Sequence, residues 1–147
     1  MRPIGAAIVA GGPGLRLAAI NPGRPKALAQ FDGATLIDHQ IDRVLSANPD
    51  RIVVLAHHGA DALERHLHSR AERQSLPPME IRVEPHPLGT AGALHTLPGL
   101  PNRWLVRNVD HVSDMDMREF ANADPAPCTA AVTQVEVPID EGVVIVE

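Results

Sequence analysis

The chain of 147 residues predicts an α/β fold with a largely parallel sheet. Three observations carry that reading. Strand-like segments at 4–9, 52–56, 80–84 and 104–109, the first two of them apolar runs, alternate with segments of helical spacing, the order that builds βαβ units. Residues 52–56 lack polar alternation, as a strand covered on both faces requires. Fourteen prolines fall largely between these segments and stiffen the connections.

The first run, 4–9, reads as a buried strand, not a signal peptide, because it flows into glycines without a small-residue cleavage site. Thr35 and Asp38 have the spacing of a capping box, and Leu36, Ile37, Ile41, Val44 and Leu45 share one helical face after it. Asn48-Pro49-Asp50 ends that helix. Residues 59–73 predict a second helix with Leu63 and Leu67 inward and Glu64, Arg65, Arg70 and Glu72 outward, stopped by Leu76-Pro77-Pro78. A short helix is expected at 90–97 and another at 116–123, capped by Asp116. Late strands are expected at 128–137 and 142–146.

Composition narrows the function classes. The formal net charge of -5 argues against a general nucleic-acid binder, which is usually basic. No run of about 18 apolar residues is present to span a membrane. The single cysteine, Cys128, cannot form an internal disulfide and fits a reducing cytoplasm; it reads as a small buried residue. His57-His58 and His66-x-His68 lack a zinc-type partner pattern and read as solvated surface.

Chemistry concentrates in the loop after the first strand. Gly11, Gly12 and Gly14 let backbone N–H groups approach an anion, and Arg16, Arg24 and Lys26 supply countercharge, which suggests a phosphate-bearing ligand. The loop lacks the third glycine of a dinucleotide fingerprint and the Gly-Lys-Ser/Thr of a Walker A loop. In a parallel sheet, ligands sit at the carboxyl ends of strands. The glycine loop, the 84–89 loop and Asp110 all follow strands and are expected to converge there.

Gly11-Gly12-Pro13-Gly14-Leu15-Arg16-Leu17 followed by Pro25-Lys26-Ala27-Leu28 resembles the signature of the sugar-1-phosphate nucleotidyltransferases, mannose-1-phosphate guanylyltransferases among them. The similarity continues at Glu84-Pro85-His86-Pro87-Leu88-Gly89-Thr90-Ala91-Gly92-Ala93, at Asn108-Val109-Asp110 and at Glu141-Gly142-Val143-Val144, in family order. It implies a Rossmann-like three-layer sandwich and transfer of a nucleotidyl group from an NTP to a sugar 1-phosphate. It further implies that Ala10, Gly11, Gly12 and Gly14 contact the nucleotide and that Glu84 and Gly89 face the base. By the same resemblance, Arg16 and Lys26 serve catalysis, Asp110 binds Mg²⁺ and Gly142 lies near the sugar. A carboxylate at Glu84 accepts two hydrogen bonds from guanine, which slightly favours GTP.

The sequence departs from that pattern at Leu15, where the family has Thr, and at Val109, where it has Gly and a β-branched side chain would narrow the site. The family also continues past Glu147 to a second metal-binding Asp, so residues 1–147 are expected to form one incomplete domain whose open sheet edge favours self-association. These departures leave a second reading, a truncated or degenerate relative that binds nucleotide without turnover. A nucleotide-sugar glycosyltransferase, suggested by Asp114-Met115-Asp116, is a distant third.

Overall fold

A computed structural model describes residues 3–17, 21–86, 88–99, 103–123 and 128–131. Four strands form one parallel sheet: β1 (Gly5–Val9), β4 (Arg51–Ala56), β5 (Met79–Val83) and β6 (Trp104–Asn108), in the order β5-β4-β1-β6. Between β1 and β4 lie a two-stranded antiparallel hairpin, β2 (Gln30–Phe31) with β3 (Ala34–Thr35), and helix α1 (Leu36–Leu45). Helix α2 (Ala60–Arg73) joins β4 to β5, a single turn α3 (Gly89–Gly92) follows β5, and α4 (Met117–Asn122) follows β6. The chain adds strands on one side of β1 and then crosses to the other, so β1 and β6 flank a topological switch point.

Strand periodicity divides the core into two faces. Ala6, Ile8, Ile52 and Val54 point to the face covered by Ile37, Ile41 and Val44 of α1, Leu63 and Leu67 of α2, and Met117 and Ala121 of α4. Ala7, Val53 and Leu55 point the other way, under Ala93 and the partly buried Leu94, Leu97 and Trp104. The result is a three-layer α/β sandwich with one thick and one thin helical layer. On the thin side the Trp104 ring lies against Gly5, where a β-carbon would stand 2.6 Å from the indole. That spacing is shorter than a carbon–carbon van der Waals contact.

The caps agree with the sequence. Thr35 Oγ1 accepts from the Asp38 N–H at 3.2 Å and donates to Asp38 Oδ2 at 2.6 Å, and Asp116 Oδ1 accepts from the N–H groups of Arg118 and Glu119. The segment expected as a helix at 90–97 divides into α3 and a 3-10 turn over Ala93–Thr96. The hairpin was not anticipated. Its turn, Asp32-Gly33, has positive φ at both residues (45° and 82°), the geometry of a two-residue turn that Asp-Gly favours.

Three expectations are corrected. Arg70 is not an outward residue: its side chain is 12% exposed because Nη1 donates to Asp38 Oδ1 at 2.7 Å and Nη2 to Asp42 Oδ1 at 2.5 Å, locking α2 to α1. His66 joins the same cluster through Asp38 Oδ2 at 3.0 Å, so it is not simply solvated surface. Cys128 is exposed, because residues 128–131 form no strand that would bury it. The rest of the strand expected at 128–137 and all of 142–146 lie outside the described residues. Among the described residues no helix is long and apolar enough to cross a membrane.

Asp38 carries a pH signature. Burial alone would raise its pKa, but hydrogen bonds from Thr35, Arg70 and His66 and the charge of His66 outweigh it and hold the carboxyl at about 2, below the ordinary 3.8. A depressed native pKa means the cluster stabilises the fold fully above the unfolded value and loses that contribution as pH falls through the native one. The Tm difference between wild type and D38N is therefore expected to shrink as pH falls from about 5 towards 2. Thermal melts of both proteins across that range check it.

Candidate functional site

Strand β1 is followed by the buried Ala10, whose N–H donates to the Leu55 carbonyl at 2.7 Å and holds the start of the glycine loop against β4. Gly11 then packs in a tight place: a β-carbon there would stand 3.1 Å from Glu84 Oε1 and 3.4 Å from His57 Cβ. Gly12 opens to solvent. Gly14 turns the loop back with φ of 66°, a conformation side chains rarely adopt, and its α-carbon faces Lys26 so closely that a β-carbon would sit 2.7 Å from Lys26 Cβ. Arg16 follows in a 3-10 turn over Leu15–Leu17, closed by the Leu17 N–H to the Gly14 carbonyl at 2.9 Å.

The return of the loop is held in two ways. Asn21 Nδ2 donates to the Arg24 and Pro25 carbonyls at 3.2 and 3.1 Å, and Pro25 is buried against Gly59, the residue that starts α2. Ala27, fully buried, anchors the next residue in the core. Lys26 is thus fixed from both sides, and its ammonium pairs with the Asp110 carboxylate just beyond β6. The two residues are 84 apart in sequence and meet at the carboxyl edge of the sheet.

Glu84, just past β5, is 6% exposed. Its Oε2 accepts from the Leu88 N–H at 3.0 Å, which ties the turn before Gly89 to the strand end. Its Oε1 faces Gly11. The expected convergence holds: Gly14, Lys26 and Asp110 form one cluster and Gly11, Glu84 and the 84–89 loop another, joined through the glycine loop. Gly142 lies outside the described residues. Among the described residues no three His, Cys, Asp or Glu side chains group to hold a metal, so Asp110 stands as a single carboxylate donor.

One of the two departures is placed differently from expectation. Val109 does not narrow the site: it is 3% exposed and packs into the thick core layer, because β6 turns Leu105, Arg107 and Val109 to that face in strict alternation. Leu15 is 79% exposed at the loop surface.

Reasoning from the sequence misread one residue and missed two. His57, expected as solvated surface, is half-buried after β4 at the same edge, and its Nδ1 lies 2.9 Å from the Glu84 carbonyl. A carbonyl only accepts, so Nδ1 is the donor in this contact. The rule that strand ends carry function pointed to it, had it been applied to β4. Gln40 and Arg107 are buried at 1% and 6% exposure beneath the Asp110 turn. Burial first and the charge of Arg43 second pull the Arg107 pKa below its ordinary value. The signal was present, since a cation inside an apolar strand is rare without a specific partner.

A family model for nucleotidyl transferases matches residues 5–146. The chain is 38% identical over 79 residues to N-acetylmuramate alpha-1-phosphate uridylyltransferase of Caulobacter vibrioides, covering 54% of this chain and 33% of that protein. It is 30% identical over 149 residues to mannose-1-phosphate guanylyltransferase catalytic subunit beta of Danio rerio, covering 97% of this chain and 41% of that one. The chain therefore spans about a third to two fifths of the length of these relatives. HddC from Yersinia pseudotuberculosis shares the fold with a TM-score of 0.65 at 22% identity, over 79% of this chain and 52% of that one. A UDP-glucose pyrophosphorylase complexed with UDP-glucose shares it at 0.66 and 15%, over 81% and 52%. The glycine loop, the Lys26–Asp110 pair and the 84–89 turn thus lie on a nucleotide-diphospho-sugar transferase fold, and the chain belongs to the nucleotidyl transferase family.

Proposed function

We propose that this chain transfers a nucleotidyl group from an NTP to a sugar 1-phosphate with release of pyrophosphate. In that reaction a phosphate oxygen of the sugar attacks the α-phosphorus of the NTP. The bond from the α-phosphorus to the bridging oxygen breaks, and pyrophosphate leaves with the electron pair. No protein nucleophile is required, so the catalytic demand is positioning and neutralisation of charge.

The observation that carries the reading is the Lys26–Asp110 pair beside Gly14 at the switch point of the sheet. It puts a mobile ammonium, a carboxylate and a glycine-lined loop within one ligand's reach. Lys26 would bridge phosphates as charge develops, and Arg16 would hold the departing pyrophosphate. Ala10, Gly11, Gly12 and Gly14 would line the nucleotide, Glu84 and Gly89 would face the base, and Gly142 would lie near the sugar. A single carboxylate suits Mg²⁺, which is commonly bound through one or two carboxylates plus substrate phosphates and water. Asp110 would hold that ion, which supplies charge neutralisation on the phosphates.

GTP is the first nucleotide to test, because a carboxylate matches the donor-rich edge of guanine. The Leu88 N–H already takes one oxygen of Glu84, so UTP is the natural comparison. Pyrophosphate release with Mg²⁺, GTP, UTP, dTTP, CTP or ATP and a panel of sugar 1-phosphates tests the reading. Turnover with one pair supports it. Calorimetric binding of a nucleotide without turnover would make the chain a nucleotide binder instead, and a folded chain that binds none sinks both.

A further inference from the structure

Arg107 is a cation in a strand of the central sheet, and among the described residues no carboxylate pairs with it. Its fork is spent on neutral acceptors. Nε donates to Gln40 Oε1 at 2.7 Å, Nη1 to Met117 Sδ at 3.1 Å, and Nη2 to the His111 carbonyl at 2.8 Å and Ser113 Oγ at 3.3 Å. Gln40, itself buried on α1, sends its Nε2 to the same His111 carbonyl at 2.9 Å. Two buried side chains from different elements therefore grip one backbone oxygen. That oxygen belongs to the residue after Asp110, and the His111 N–H closes the turn onto the Asn108 carbonyl at 3.2 Å.

Stability alone does not account for this arrangement. A buried guanidinium without a counter-ion carries a desolvation penalty that an apolar side chain of similar volume avoids. What the fork supplies is direction, because its donors are rigid and planar. We propose that Arg107 and Gln40 are positioning residues for Asp110, fixing the turn that presents its carboxylate at the sheet edge. The functional half of this proposal rests on the reading of Asp110 as the Mg²⁺ ligand; the structural half does not.

The test uses the whole chain and two readouts. In R107M, amide hydrogen exchange over 109–113 is expected to rise about tenfold or more, with β1 and β4 unchanged. By calorimetry, the Mg²⁺ concentration that supports GTP or UTP binding is expected to rise about tenfold, the usual scale for losing a support of a metal ligand. Nucleotide binding without Mg²⁺ should not change. In a D110N background, R107M should add nothing to the Mg²⁺ requirement, which a merely structural role would not produce. Q40E keeps an acceptor for Arg107 but removes the donor to His111, and is expected to give a smaller shift in the same direction; it decides the matter if R107M does not fold. Exchange that rises evenly through the core, or penalties of R107M and D110N that multiply, overturns the proposal. A wild-type chain that binds no Mg²⁺–nucleotide sinks the nucleotidyl-transfer reading, while the exchange measurement still decides whether the clamp exists.

Discussion

K26M is expected to lower the turnover of nucleotidyl transfer by about 10²–10³-fold while leaving the melting temperature nearly unchanged. The two halves of that result have different causes. Lys26 pairs with Asp110, but Asp110 is 47% exposed, and an ion pair in such a place contributes at most about 1 kcal/mol to folding. Its backbone is held independently by Pro25 on one side and the buried Ala27 on the other. Removing the ammonium therefore leaves the loop in place and removes only the charge proposed to meet the phosphates. Pyrophosphate release and a thermal melt of the same sample check both halves. A large fall in stability would show that the pair is a fold contact rather than part of the site.

G59A is expected to cost about 2–4 kcal/mol of folding stability, combining strain at a left-handed backbone with overpacking. Gly59 has φ of 68°, and a β-carbon on it would overlap Pro25 Cγ. The cost should not stay local. Pro25 immediately precedes Lys26, so displacing the ring moves the ammonium, and turnover is expected to fall along with stability. Urea denaturation measures the first effect and pyrophosphate release the second. In G59A/P25A the overlap is relieved but the backbone strain remains, so about half of the lost stability should return. Full recovery would mean that φ at Gly59 is not strained for alanine.

The elements legible in the sequence were those whose signals are local. Apolar runs without alternation marked β1 and β4, and Thr35 and Asp116 marked the starts of α1 and α4 because caps are satisfied within one turn. The convergence of Gly14, Lys26 and Asp110 was legible for a different reason: parallel topology alone brings strand ends to one edge. What escaped depends on how elements rotate against each other. Arg70 looked outward on its own helix and became a buried bridge only because α1 presents Asp38 and Asp42 to it. Val109 looked like an obstruction until the alternation of β6 turned it into the core. Gln40 sat unremarked among the apolar positions of α1, since its reason for being there is a carbonyl 71 residues away.

The Trp104–Gly5 contact has an experimental use. The chain has one tryptophan and no tyrosine, so its near-ultraviolet emission comes from a single place. Gly5 and Trp104 are register partners at the amino ends of β1 and β6, whereas Lys26 and Asp110 lie beyond the carboxyl ends, roughly 15 Å away along strands of this length. The indole is therefore a reporter of sheet integrity set apart from the ligand's charge. A titration with nucleotide that left emission unchanged would be uninformative about binding. A denaturant curve followed at the same wavelength would track the thin face of the sheet, and comparison with a helix-sensitive signal would tell whether the two layers come apart together.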